Sequence, residues 1–218
     1  MVNKTKFVTL EGIDGAGKTT ALNGALDKLK ENNINKRIFV TREPGGNKIS
    51  EQIRNILLDK NNQNISKETE ALLFAAARSQ HLIEDIKPHL NKDDLIISDR
   101  YIDSSLVYQG FGNDLNINDV LAINKFATQF LFPDYVLFFD IKPENALKRI
   151  YHNRTSKIDR LDNKELSFYN KVYQGYQSII NKEITYSNKT KYIIINANQN
   201  KEKLIDDTYK ILLKILSI

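Results

Sequence analysis

The stretch Gly12-Ile13-Asp14-Gly15-Ala16-Gly17-Lys18-Thr19 decides how this 218-residue chain is read, because it fills every fixed position of the phosphate-loop pattern G-x-x-x-x-G-K-[ST]. Glycines let a backbone turn its N–H groups inward around a polyphosphate. The lysine sets a cation on the outer oxygens, and the threonine hydroxyl can complete a Mg²⁺ shell. The flanks agree with the motif. Phe7-Val8-Thr9-Leu10 reads as a buried strand, and Thr19 to Lys30 reads as a helix with Ala21, Leu22, Ala25, Leu26 and Leu29 on one side.

Beyond the first helix, Arg37 to Thr41 is a second apolar strand that ends in Arg42-Glu43-Pro44-Gly45-Gly46. Ligands of open parallel sheets bind at the C-terminal strand ends, so an arginine there faces the same side as the phosphate loop. A helix follows over Lys48 to Leu58, with Ile49, Ile53, Ile56 and Leu57 as its apolar stripe and Arg54 off it. The next helix is expected from Lys67 to Ile86, and it places Phe74 and Arg78 on one face. Leu95 to Ser98 is a third strand, and Asp99 at its tip fits the Walker-B position that holds Mg²⁺ directly or through water. Asp103 to Asp119, which contains Gly110 and Gly112, reads as mixed structure before a helix from Val120 to Leu131. Tyr135 to Phe139 is the fourth strand, ending in Asp140, and Pro143 can start the helix after it. A helix from Lys164 to Glu183, a strand from Tyr192 to Ile195 and a helix from Lys201 to Leu216 complete the chain. Five short strands alternating with helices predict an α/β fold of the P-loop NTPase type: one domain, a parallel five-stranded sheet with helices on both faces.

Composition narrows the function. The net charge of +5 and pI near 9.1 come from lysines scattered singly, with no strip of basic and aromatic residues, so no nucleic-acid surface is expected. There is no cysteine, which leaves no disulfide or thiolate metal site. No signal-peptide core precedes the first strand and no apolar run reaches membrane length, so the expectation is a soluble, cytoplasmic protein without a membrane partner. His81, His89 and His152 lack metal-ligand spacing and read as surface or packing residues. Tyr169, Tyr173 and Tyr176 read as a packing stripe.

A switch GTPase would need glycine three positions after Asp99, where Ile102 stands. The N-K-x-D match at Asn91-Lys92-Asp93-Asp94 precedes the third strand, at the wrong end of the sheet. The remaining motifs are the phosphate loop with Asp14, Thr41-Arg42-Glu43-Pro44-Gly45-Gly46, Leu73-Phe74-Ala75-Ala76-Ala77-Arg78-Ser79-Gln80, and Asp99-Arg100-Tyr101 followed by Ser104 and Tyr108-Gln109. In this order and spacing the chain resembles the bacterial form of the thymidylate kinases, over nearly its whole length. The resemblance implies phosphoryl transfer from ATP to dTMP, giving dTDP and ADP, with Mg²⁺ near Thr19 and Asp99 and a homodimeric assembly. It implies ATP contacts from Gly12 through Thr20 (Ile13, Gly15, Ala16 and Gly17 included), with Arg149 beside the adenine. Around dTMP it implies Asp14 at the 3′-hydroxyl and Arg42, Arg54 and Arg100 about the phosphate, with Glu43 and Pro44 alongside. Phe74 is expected to stack on thymine and Arg78 to donate to an exocyclic oxygen. Ser104, Ser105 and Gln109 then lie near the base, and Tyr108 near the sugar.

The resemblance also implies a lid over about residues 150–163, in which Arg154 and Arg160 supply transition-state cations beside Lys18, Arg100 and Asp99. Gly15 follows Asp14 where some thymidylate kinases carry an arginine, and lid arginines take over in the bacterial pattern. Six positions on one helix would set Arg154 and Arg160 roughly 120° apart, so a loop between them is required if both are to reach the phosphates. Two rivals stay open at this point: another monophosphate or nucleoside kinase of this fold, and a nucleotide-dependent binding protein that transfers nothing.

Overall fold

The computed structural model describes residues 5–153 and 165–217. Five apolar runs form the strands β1 (Lys6–Glu11), β2 (Ile38–Arg42), β3 (Leu95–Asp99), β4 (Tyr135–Asp140) and β5 (Lys191–Asn196). All pair in parallel, in the order β2-β3-β1-β4-β5. Val8, Leu10, Ile96, Ile97, Leu137 and Phe139 are buried, as expected for central strands covered by helices on both faces.

The helices are α1 (Lys18–Glu31), α2 (Lys48–Leu58), α3 (Lys67–His81), α4 (Ile102–Ser105), α5 (Ile117–Thr128), α6 (Pro143–Asn153), α7 (Leu166–Ile180) and α8 (Lys201–Leu216). Side-chain caps set several starts. Asn47 accepts from the Ser50 amide, Ser66 from Thr69 and Asn200 from Lys203, each filling a donor that the first turn leaves open. Among the described residues no helix is long and apolar enough to cross a membrane.

Four expectations are corrected. The helix through Ile86 ends its α-helical part at His81 and continues as a π turn over Leu82–Ile86 and a 3₁₀ turn over Lys87–His89. Pro88 cannot donate to the carbonyl one turn back, so the regular ladder gives way before it. The mixed segment 103–119 is helical through Gly112: α4 runs into a π turn over Leu106–Gly112. The glycines there serve packing, not chain reversal. A Cβ on Gly110 would stand 2.4 Å from Ile117 Cδ1, and one on Gly112 would stand 2.5 Å from Phe168 Cε2. The following helix begins three residues before Val120, capped by Asn116, and closes at Gln129 in a left-handed conformation. In α2 the expected stripe is only partly covered, with Leu57 buried but Ile49 and Ile56 nearly half exposed.

Candidate active site

Strand register brings the chemistry together. Leu10 of β1 and Arg42 of β2 both pair with Asp99, so the tips of the three adjacent strands share one edge of the sheet. A cleft of about 780 Å³ opens there, lined among others by Asp14, Lys18, Arg42, Arg54, Arg100 and Arg149. Gly15, Gly17, Thr19, Thr20, Glu43 and Asp99 also reach it.

The phosphate loop carries its glycines where no other residue fits. Gly15 has φ +80°, and a Cβ on it would lie 2.5 Å from the Ala146 carbonyl oxygen. Gly17 caps α1 in a left-handed conformation without a side-chain acceptor, so the first-turn N–H groups stay open toward an anion. Lys18 is 7% exposed and its Nζ donates to the carbonyls of Gly12 at 3.0 Å and Ile13 at 3.3 Å. Carbonyls do not cancel its charge. Burial lowers its pKa and the nearby Arg100 adds to that, against the pull of Asp99, Asp14 and Glu11. Thr19 Oγ1 donates to Asp99 Oδ2 at 3.0 Å, while Asp99 Oδ1 is buried without a hydrogen-bond partner.

Arg100 is held from both backbone and side chain. Its φ is +76°, an uncommon state for a residue with a Cβ, costing about 1–3 kcal/mol. Three hydrogen bonds fix it: Arg100 N–H to Leu10 O at 3.0 Å, Ser98 Oγ to Arg100 O at 2.8 Å, and Tyr101 N–H to Glu11 Oε1 at 2.8 Å. The guanidinium donates through Nη1 to Gly12 O and Ser104 Oγ, and through Nη2 to Asp14 Oδ1 at 2.6 Å and Tyr108 OH at 3.2 Å. Burial works to raise the Asp14 pKa, but the charges of Arg100 and Lys18 outweigh it and hold the carboxyl at about 2. Burial raises the Tyr108 phenol well above its ordinary value, so it stays protonated and donates to Asp14 Oδ2 at 3.1 Å. Behind this group lies Glu11, fully buried, accepting from Ser104 Oγ at 2.6 Å and Tyr176 OH at 2.9 Å.

On the β2 side, Arg42 and Arg54 both donate Nη1 to the Pro44 carbonyl at 2.9 Å, and Arg42 Nη2 pairs with Glu51 at 2.8 Å. Glu43 turns inward. Its carboxylate accepts from Arg78 Nε at 2.6 Å and from His81 Nδ1 at 2.9 Å, and these two cationic or donating partners hold its pKa low against burial. His81 is fully buried and its other nitrogen meets Thr41 Oγ1 at 2.7 Å, so the surface alternative given for it is corrected to a hydrogen-bonded core residue.

Phe74 and Arg78 do share a face of α3, with Phe74 half-buried. Arg78, however, is 2% exposed and largely committed to the protein. Besides Glu43 it donates to Ser105 Oγ at 2.8 Å, to Asn124 Oδ1 and to the Tyr101 carbonyl at 2.9 Å. Four of a guanidinium's five N–H groups are thus used, leaving one on Nη2. Ser104 reaches the cleft through Arg100, and Gln109 is buried with its Nε2 on Glu70 Oε1 at 3.2 Å. Arg149 donates to the Gln199 carbonyl at 3.2 Å. Arg154 and Arg160, with most of the segment 150–163, lie outside the described residues.

Glu11, Glu70, His81 and Asn124 escaped sequence reasoning. Glu70 stands four before Phe74 and His81 three after Arg78, so helical spacing already put them beside recognised residues. Nothing local marks Asn124, whose partner is 46 positions away.

A phosphate loop opening onto a parallel sheet, a strand-end acid facing its threonine, and a second set of guanidiniums across the same cleft define a P-loop phosphotransferase. The family model for thymidylate kinase matches residues 10–207. A thymidylate kinase of Ligilactobacillus salivarius is 48% identical over 207 residues, covering 95% of this chain and 97% of its own. One from Clostridium novyi is 45% identical over 94% and 97% of the two chains, and one from Halalkalibacterium halodurans is 41% identical over the full length of both. The chain belongs to the thymidylate kinase family.

Proposed function

We propose that this protein transfers the γ-phosphoryl group of ATP to dTMP, giving dTDP and ADP for dTTP synthesis. The observation that carries the reading is one cleft holding the phosphate-loop Lys18 together with Arg42, Arg54 and Arg100, cations enough for two anionic substrates. Phosphoryl transfer asks the protein for alignment and positive charge, with little covalent chemistry of its own. Lys18 and the open N-terminus of α1 take the ATP phosphates, and Arg149 lies toward the adenine. Arg42, Arg54 and Arg100 take the acceptor phosphate, where planar guanidiniums suit bidentate contact. Asp14 accepts from the 3′-hydroxyl and Tyr108 packs against the sugar, excluding a 2′-hydroxyl. Phe74 stacks on the base, with the remaining Nη2 proton of Arg78 directed to its exocyclic oxygen. Arg154 and Arg160 close a lid on ATP.

The oxygen pair Thr19 and Asp99 fits a hard cation: one Asp99 oxygen is buried with no partner, and the Thr19 hydroxyl stands against the other. These two residues would hold Mg²⁺, which when bound supplies neutralisation of charge on the phosphate oxygens. The same reading puts the enzyme in the cytoplasm as one catalytic domain, with ATP and dTMP as partners and neither nucleic acid nor membrane. It also makes the protein a homodimer. In support, α2, α3 and α5 pack side by side and carry exposed Ile49, Ile56, Leu72 and Phe126, the last 84% exposed.

A coupled assay of ADP release against dTMP, dUMP, dCMP, dGMP and thymidine tests the reaction. ADP formed in step with dTDP, and dTMP preferred, is expected. Preference for another acceptor would assign the cleft to a different kinase, and ADP without phosphorylated acceptor would make it a nucleotide-dependent binding protein.

A further inference from the structure

Glu70 is buried, with 3% of its surface exposed, and nothing in the transfer reaction uses it. It stands on α3 at the head of a series, Glu70, Phe74 and Arg78, whose intervals of four put all three on one face. Against that face runs the helix of α4 and its π-turn continuation, where Ser105 and Gln109 are likewise four apart. Two rungs join the pair: Arg78 Nη1 to Ser105 Oγ at 2.8 Å, and Gln109 Nε2 to Glu70 Oε1 at 3.2 Å. Phe74 stands between the rungs along α3.

A carboxylate oxygen accepts and cannot donate, so the Gln109 amide has to offer its NH₂ to Glu70. The same Glu70 oxygen takes Asn113 Nδ2 at 2.8 Å, so it already serves two donors. The Gln109 carbonyl oxygen is therefore turned away from Glu70, and it has no hydrogen-bond partner among the described residues. Arg78 can only donate, and it has one N–H left. A base laid against Phe74 would thus meet a donor of fixed sign and an acceptor of fixed sign. Thymine and uracil carry an acceptor at O4 beside a donor at N3, which matches both. Cytosine carries a donor at N4 beside an acceptor at N3, which opposes both.

We infer that Glu70 is a specificity-determining positioning residue: by fixing the polarity of the Gln109 amide it makes the site read the 4-oxo, 3-NH edge of a pyrimidine monophosphate. The inference rests on the reading that the acceptor base lies against Phe74. Glu70 itself touches no substrate, and it is blind to the 5-methyl group.

The test is acceptor discrimination in Glu70→Gln, whose amide can turn either its oxygen or its NH₂ to Gln109 and so releases the lock. The preference for dTMP over dCMP, taken as a ratio of kcat/KM or of KM to the dCMP inhibition constant, is expected to fall about tenfold or more, the scale of a mismatched buried polar pair. The ratio of dTMP to dUMP and the KM for ATP should hold. Gln109→Leu, measured independently of whether Glu70→Gln folds, should lower the same ratio, and adding Glu70→Gln to it should change the ratio no further. An unchanged dTMP to dCMP ratio in either single variant, or an effect of Glu70→Gln that persists at full size without Gln109, overturns the inference. Both failures leave wild-type dTMP phosphorylation standing, whereas a wild-type protein that does not phosphorylate dTMP sinks the functional reading itself.

Discussion

Replacing Asp103 with asparagine should make the protein more stable at alkaline pH and change it little in acid. Asp103 is 1% exposed on α4; its Oδ2 accepts from Tyr192 OH at 3.0 Å and its Oδ1 has no partner. Burial raises its pKa first of all, and the negative charge of Glu11 adds to that. Hydrogen bonds from Tyr186 and Tyr192 and the charge of Arg78 recover only part, which leaves the group at about 7 in place of 3.8. The sign follows. Between those two values the unfolded chain has released its proton and the folded one has not, so stability falls as pH rises and the penalty is complete above about 7. At 1.36 kcal/mol per decade of proton affinity the ceiling is roughly 4 kcal/mol, and sharing of charge with Glu11 brings the expected effect to about 2 kcal/mol. Asparagine keeps an oxygen for Tyr192 and is never charged. Urea unfolding of both proteins at pH 5 and pH 8.5 should therefore show Asp103→Asn gaining on the wild type at the higher pH by about 1 kcal/mol more than at the lower, part of the penalty being already present at pH 5. A difference between the two proteins that is the same at both pH values would refute the argument, because a merely structural effect of the substitution has no reason to follow proton release.

Lys18→Ala should leave the melting temperature within a few degrees and lower kcat by roughly three orders of magnitude in the coupled assay, since the ammonium acts on charge that develops during transfer; near-normal turnover would remove the phosphate loop from the chemistry. Ser104→Ala takes away the hydroxyl that Glu11 orients toward Arg100 Nη1, and the KM for dTMP should rise about tenfold with the KM for ATP unchanged, the cost of one charge-assisted hydrogen bond. For Asp14, a 3′-deoxy acceptor should bind about tenfold more weakly than dTMP. That margin should stay level from pH 5 to pH 9, because the carboxyl, held at about 2, is ionised throughout. Its pairing with Arg100 adds stability that is present above the ordinary aspartate value and lost only as pH falls through about 2.

What could be read from the sequence was what local chemistry dictates. Gly12 to Thr19 is legible because only that residue order builds a phosphate cradle, and the five strands are legible because buried parallel strands are continuous apolar runs. Gly110 and Gly112 misled because glycine signals both a turn and a close approach, and only the position of Ile117 and Phe168 tells which. The burial of Arg78 was equally out of reach. An arginine on a helix face reads as solvent-exposed until Glu43, Ser105 and Asn124, drawn from three other parts of the chain, are seen around it.

Four carboxylates around the site share one property, and it bears on how the site works. Each is hydrogen-bonded to a group that lines the cleft or that the proposed function sets against the base: Glu11 behind Ser104 and Arg100, Glu43 behind Arg78, Glu51 behind Arg42, Glu70 behind Gln109. A guanidinium has five donors, so a carboxylate at its back uses one or two and aims the rest without exhausting them. The charge that a ligand meets is thereby already oriented, and little reorganisation remains when two polyanions are brought into line. It follows that these acids act on rate and selectivity in proportion to the donor they aim. The left-handed backbone of Arg100 gives the clearest case. A strained residue keeps its place only where several independent bonds specify it, and Glu11 supplies one to the next amide and, through Ser104, another to the side chain.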